Sequence, residues 1–475
     1  MTRINTNVAS IIAQNRLTRN TGDLQVRLER LSTGLRINRG KDDPAGLIAS
    51  EILRSEIRAI GQAIENSERA INVISTAEGA LNETSSLLLD LRSLIVATAN
   101  DGALTEEEID ANQLEIDSLI ASIDRIANTT SFGSLKLLNG SLEYNVSSIV
   151  PSQVDAATVF SARVPEGGSK NVQIQVLASA QTAQISAAGT STAASTIELA
   201  GNKGTEILAF ASGATIAEIA TSINSAKDAT GVSAIASSNG ALYLNSEGFG
   251  SAQFVQVRTL SGTFIDAGTF ITGGSPTRDI GQDVSALVNG QLADSTGTRV
   301  DIRSTSLDAR IFLDTAFAQQ TTSTSQFQVT GGGSLFQLGP EVTPQAQVTV
   351  ALNSVASSNL GNAVVGFLDS IRSGGTNEVK SGSFVAAQDI LREAINQIST
   401  LRGRLGSLQK NQIQTNINSQ QVALENVSAS ESIIRDADIA TEVSALTRSQ
   451  ILFQSTQSTL QISNTLPQAV LGLLG

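Results

Sequence analysis

Most of the side chains that do chemistry are missing from this chain. Its 475 residues hold no Cys, no His and no Trp, and the one Met is Met1. Without Cys or His there is no disulfide, no ordinary zinc site, no Ser-His or Cys-His nucleophile pair and no imidazole base titrating near neutral pH. Carboxylates remain, and with them acid-base or Mg²⁺ chemistry, yet no Walker-type loop or acidic metal cluster appears in the sequence. The chain is expected to be no enzyme and to need no cofactor.

The residues whose spacing does carry information are aliphatic, and their chemistry is association. Leu17, Leu24, Leu28, Leu31 and Leu35 fall at steps of seven, four, three and four, a heptad seam. Near the other end Ile439, Val443, Leu446, Phe453 and Leu460 repeat in the same way. The last twelve residues, NTLPQAVLGLLG, add Leu466, Val470, Leu471, Leu473 and Leu474, although chain ends are usually polar and frayed. After Arg448 no side chain is charged, whereas a solvated helix normally carries charge on its outer face.

The elements that must position these seams are long helices. The first seam is expected to stop at Asn38-Arg39-Gly40-Lys41, with Gly40 as the helix stop. Asp42, Asp43 and Pro44 then supply an acidic cap and a proline at a first helical position. From Pro44 to about Ala99 the residues Ile57, Ile60, Ile64, Ile71, Ile74, Leu81, Leu88 and Ile95 keep a coiled-coil period. Asn100-Asp101-Gly102 signals a turn, and Thr105 with Glu108 forms a capping box before a seam of Ile109, Ile116, Ile120 and Ile123. Ile398, Leu401, Leu405 and Leu408 mark a further helix.

Between about 151 and 333 the texture changes to Gly, Ser, Thr and Ala with alternating strands, such as NVQIQVL from Asn171 and ALYLNSE from Ala241. The expected class is therefore α+β: long N- and C-terminal helices packing as coiled coils, with a β-rich inserted domain of one or two modules in the middle. Residues 1–60 carry net +4, residues 379–475 net 0 and residues 61–378 net −17. That acidic middle and 3% aromatic content disfavour nucleic acid. No apolar run is long enough to span a membrane, the uncharged tail lacks the Lys and Arg of a membrane-surface helix, and MTRINTNVAS is not a cleavable signal.

Three destinations for the apolar C-terminus can be weighed: its own monomer, a membrane surface, or copies of the same chain. Burying five aliphatic side chains does not by itself offset the entropy lost in ordering twelve residues. Packing on several sides is needed, which neighbouring copies provide. The ends are accordingly expected to be disordered in the free chain and ordered in an assembly.

Four stretches resemble the terminal regions of bacterial flagellin: MTRINTNVASIIAQNRL, LSTGLRINRGKDDPAGLIASE at Leu31 to Glu51, SIIRDADIATEVSALTRSQIL at Ser432 to Leu452, and LPQAVLGLL at Leu466 to Leu474. TIAEIATSINSAKDATGVSA, Thr215 to Ala234, is similar to the IN motif module found in many flagellins. The resemblance implies a filament subunit that serves motility and leaves the cell uncleaved through the flagellar type III channel. It implies an inner coiled-coil tube from 1–40 and 435–475, with Leu17, Leu24, Leu28, Leu31, Leu446, Phe453, Leu460, Leu471 and Leu474 as assembly residues. The same resemblance makes Asp42, Asp43 and Pro44 the link to an outer helical tube of 41–150 and 334–434. The insert of 151–333, with its IN-like module at about 201–260, faces the medium. Itself, the flagellar cap, the hook-junction proteins and a C-terminal export chaperone are the implied partners.

Some family roles transfer poorly. Receptor-active flagellins carry a helix resembling Q-R-x-R-E-L-A-V-Q; here Arg92 and Leu94 match, while Asp90, Ser93 and Ala97 replace a basic, an acidic and an amide residue. Weak or absent TLR5 activation is expected. A zinc protease module is excluded, because its H-E-x-x-H helix requires His. Two other readings stay open: a hook-filament junction adaptor, which shares such ends, and a secreted coiled-coil adhesin.

Overall fold

The computed structural model describes residues 6–164, 168–188, 194–237, 240–262, 264, 278–304 and 306–472, without the side chains of 101, 187–188 and 466–472. Seven helices matter here: α1 (Val8–Thr33), α2 (Pro44–Thr98), α3 (Glu106–Thr129), α4 (Ile216–Ser225), α5 (Phe384–Ser407), α6 (Gln414–Arg435) and α7 (Ile439–Gly472). The chain divides into two units, one of Met1–Ile71, Gln337–Gln347 and Leu408–Gly475, the other of Asn72–Phe336 and Val348–Ser407.

The first helix stops earlier than the sequence suggests. The seam continues through Leu35, but Gly34, at φ +72°, takes the left-handed cap position that ends α1 at Thr33. Leu35 then forms a β-bridge with Asp436, and the Arg36 amide donates to the Arg435 carbonyl at 2.7 Å. Gly40 is not the stop, because this distant pairing competes with further helix.

Helix α2 starts at Pro44, where the Asp43 carboxylate accepts from the Gly46 amide at 2.9 Å. Its buried stripe runs through Ile60, Ala63, Ser67, Ala70, Ile74, Ala77, Leu81, Thr84, Leu88, Leu91, Ile95 and Thr98, alternating steps of three and four. Ser67, Thr84 and Thr98 are tolerated there because each hydroxyl donates to the carbonyl four residues back, at 2.8, 3.0 and 2.8 Å. Helix α3 carries the full Thr105–Glu108 capping box and buries Ile116, Ile120 and Ile123. Between α5 and α6 the backbone passes through a π-helical segment, Leu408–Ile413.

Two β modules with separate cores fill the middle. In one, a five-stranded antiparallel sheet (strand order 291–292, 285–288, 170–178, 324–332, 144–147) and a four-stranded one (294–296, 299–303, 307–313, 154–162) share a core including Val172, Ile174, Val176, Ile311 and Phe327. In the other, a three-stranded sheet (182–188, 241–249, 232–236) and a four-stranded sheet (278–280, 254–261, 195–201, 205–210) pack with α4 around Leu199, Ile219, Ile223, Leu242 and Val255. NVQIQVL lies in the first module, where Val172, Ile174 and Val176 point inward as the alternation requires.

Candidate assembly surface

Among the described residues no three His, Cys, Asp or Glu side chains gather as a metal site, and no helix is long and apolar enough to cross a membrane. The distinctive chemistry lies along the pairing of α1 with α7, both within the first unit.

Each helix is capped at its start. Asn7 accepts from the Ser10 amide at 3.0 Å, and Asp438 accepts from the Ala440 and Thr441 amides at 3.0 and 3.3 Å. The Thr441 hydroxyl, then these amides, hold the Asp438 carboxyl below its usual range. The end of α1 is tied to the segment before α7: the Ala437 amide donates to the Gly34 carbonyl at 2.9 Å and the Arg36 guanidinium donates to the Ile434 carbonyl. From there the two helices run antiparallel. Arg27 pairs with Glu442, Asn20 donates to Thr456 at 3.2 Å, Ser10 donates to Asn464 at 2.7 Å, and Asn7 donates to the Ser463 carbonyl at 2.7 Å.

Glu442 is the electrostatic centre of the pairing. Its side chain is 8% exposed; Arg27 reaches both carboxylate oxygens at 3.0 and 2.8 Å, and Arg30 donates at 3.1 Å. Burial pushes its pKa up, but the two guanidinium hydrogen bonds outweigh that and hold it below the ordinary value.

The predicted seam residues sit beside this polar row. Leu17, Leu24 and Leu31 on α1, and Leu446, Phe453 and Leu460 on α7, are half-buried. Leu28 is 48% exposed. Leu471 belongs to the backbone of α7, but its side chain, and all of Leu474, lie outside the described residues. Further apolar side chains stand open on both helices, among them Val8, Ile11, Ile12, Ile451, Leu452 and Ile462. One partner helix covers only one side of each cylinder, so an aliphatic surface is left for something else to cover.

The other predicted residues fall into place by local chemistry. The Asp42 carboxylate accepts from the Arg39 amide at 2.9 Å and the Asn38 amide at 3.2 Å, closing a tight polar turn ahead of Pro44. The Arg39 contact is the main cause of its lowered pKa. Arg92 is exposed on α2 and Leu94 half-buried. Sequence reading missed Arg27, Arg30 and Glu442. The available signal was that Glu442 and Arg448 are the only charged residues in the whole of α7.

Long helical ends that pair with each other and an aliphatic surface left open along them are the features of a structural, self-associating subunit. Comparison with known proteins sharpens this. Residues 4–143 match the bacterial flagellin N-terminal helical region, 388–474 the C-terminal helical region, and 196–248 the flagellin hook IN motif. Flagellin C of Vibrio anguillarum is 30% identical over 99% of both chains, and flagellin of Salmonella muenchen 28% identical over 99% of both. Flagellin of Bacillus subtilis is 43% identical over 32% of this chain and 49% of its own. FliC from Burkholderia pseudomallei, a solved structure, is 13% identical with a TM-score of 0.25 over 73% of this chain and 99% of its own, too distant a superposition to add weight. The chain belongs to the bacterial flagellin family. It is thereby a structural subunit of the extracellular flagellar filament, in a family whose members polymerise with themselves.

Proposed function

We propose that this chain builds a motility filament through its terminal helices, with 1–40 and 435–475 as an inner coiled-coil tube. Leu17, Leu24, Leu28, Leu31, Leu446, Phe453, Leu460, Leu471 and Leu474 bury against neighbouring copies. Residues 41–150 and 334–434 form an outer helical tube, joined to the inner one through Asp42, Asp43 and Pro44, and 151–333 faces the medium. The acidic middle, net −17, keeps the outside of such a fibre soluble. The observation that carries this reading is the aliphatic surface of α1 and α7, where Ile11 and Ile451 are 50% and 61% exposed in a single chain.

By the same reading the subunit passes uncleaved through the flagellar type III channel. It meets a chaperone at its C-terminal helix, and the cap and hook-junction proteins at the filament's ends. The altered polar residues around Arg92 and Leu94 make TLR5 activation weak or absent, which a reporter-cell dose series checks. Seeded assembly tests the core of the proposal: full-length chain should extend filament seeds seen by negative-stain electron microscopy, and chain lacking 435–475 should not. A full-length chain that stays a folded monomer with protected ends would favour an adaptor or adhesin.

A further inference from the structure

The aliphatic repeat along α1 and α7 is degenerate. Leu17, Leu24 and Leu31 are seven apart, and so are Leu446, Phe453 and Leu460. Sliding one helix past the other by one heptad, about 10 Å, therefore brings seam residue to seam residue again, whereas a shift of three or four sets most of them against polar side chains. The neutral polar contacts do not resolve the ambiguity. Between 449 and 465 α7 is rich in Ser, Thr, Gln and Asn, so Asn20 would meet Ser449 or Ser463 in place of Thr456.

Glu442 resolves it, together with the backbone ties at the turn, where the Ala437 amide donates to the Gly34 carbonyl and the Arg36 amide to the Arg435 carbonyl. With the pairing of Asn20 and Thr456 fixed, the carboxylate lies between Arg27 and Arg30. A heptad slip in one direction leaves both guanidiniums facing Ser449 and strands the carboxylate. A slip in the other carries the start of α7, at Ile439, past both guanidiniums and leaves them without a carboxylate partner. A polar group within an apolar seam is a known way to fix register at some cost in stability. We propose that the Glu442 clasp with Arg27 and Arg30, added to the backbone ties that Gly34 and Arg36 make with Ala437 and Arg435, sets the register of the α1/α7 pair, while the leucine seam supplies adhesion without register. Glu442 is a positioning residue for assembly, and this inference rests on the terminal-helix reading given above.

The absence of native Cys makes the register directly readable. In the full-length chain Asn20→Cys is combined in turn with Thr456→Cys, Ser463→Cys and Ser449→Cys, and disulfide yield is measured under mild oxidation in the unassembled chain and in filaments. The native background should give the 20–456 product at least tenfold over the others. Glu442→Ala should raise the 20–463 product several-fold, with 20–449 still low because that slip carries the start of α7 past Arg27 and Arg30. Glu442→Asp should keep the native pattern. Moving the carboxylate one heptad, Glu442→Ala with Ser449→Glu (paired here only with the 20–456 and 20–463 reporters), should raise 20–463 above its level in Glu442→Ala.

An unchanged 20–456 product in both the Glu442→Ala and the relocated variant overturns the inference while leaving filament formation intact as a reading. A native chain that gives neither filaments nor the 20–456 product contradicts both. Loss of filaments in Glu442→Ala alone supports the inference only if the slipped product also appears; loss with an intact 20–456 preference overturns it.

Discussion

The guanidinium carbon of Arg404 stands 3.5 Å from the centroid of the Phe160 ring. The same guanidinium donates to Asp308 at 2.7 Å, so a residue of α5 is stacked on one strand of the first β module and ion-paired to another, all within the second unit. Phe160 holds it by its ring face and Asp308 by charge.

Arg404→Ala is expected to destabilise the folded chain by about 2 to 4 kcal/mol, because it removes the stacking and leaves Asp308 unpaired. Arg404→Lys keeps the charge but not the planar fork, and should lose about half as much. Urea unfolding followed by far-ultraviolet circular dichroism measures both.

Acid should loosen the terminal pairing in a way that depends on Glu442. Its folded pKa lies below that of the unfolded chain, since the two guanidinium bonds outweigh burial. The contribution is therefore full above the unfolded carboxylate range and is lost as pH falls through the lowered folded value. Glu442→Gln should abolish that part of the acid transition, seen as a flatter helical signal as pH falls below the ordinary carboxylate range.

Surface and core aliphatics should behave in opposite ways. Ile11→Ser and Ile451→Ser, at half-exposed positions, are expected to change the stability of the free chain by no more than about 0.5 kcal/mol. They should nevertheless slow or stop seeded elongation. Ile120→Ala, at a fully buried site on α3, should cost about 2 to 5 kcal/mol of stability. Calorimetry paired with a light-scattering elongation assay separates the two classes.

Gly403 and Gly406 lie inside α5, and an added Cβ at either meets nothing within 4 Å. Alanine at each should raise helix stability by about 1 kcal/mol, measurable as a higher melting temperature of the free chain.

Much of this architecture is legible from local pattern. The Thr105–Glu108 box, the start of α2 at Pro44 and the inward alternation of Val172, Ile174 and Val176 all follow from short-range rules. The core stripe of α2 is less visible: Ile60, Ile74, Leu81, Leu88 and Ile95 stand out, but Ala63, Ser67, Ala77, Thr84 and Thr98 share the stripe without looking apolar enough to belong. The hydroxyls of Ser67, Thr84 and Thr98 are satisfied by their own helix, which composition does not reveal. The end of α1 is hidden for a different reason. Leu35 extends the seam perfectly well, so the stop at Gly34 is not singled out by the pattern, and Leu35's pairing with Asp436, some four hundred residues away, marks where the helix gives way. The Glu442 clasp is hidden in the same way, since its partners lie at the far end of the chain.

The central claim is that the faces of α1 and α7 left open in one chain are closed by other copies of it. Amide hydrogen exchange read by mass spectrometry, on free chain and on filaments, tests this most directly. Peptides covering 8–33 and 439–472 should exchange within seconds to minutes in the free chain and become protected by at least a hundredfold in filaments, while α3 is protected in both. Equal protection of the terminal peptides in the two states would contradict it, because the helices would then be fully packed without any neighbour.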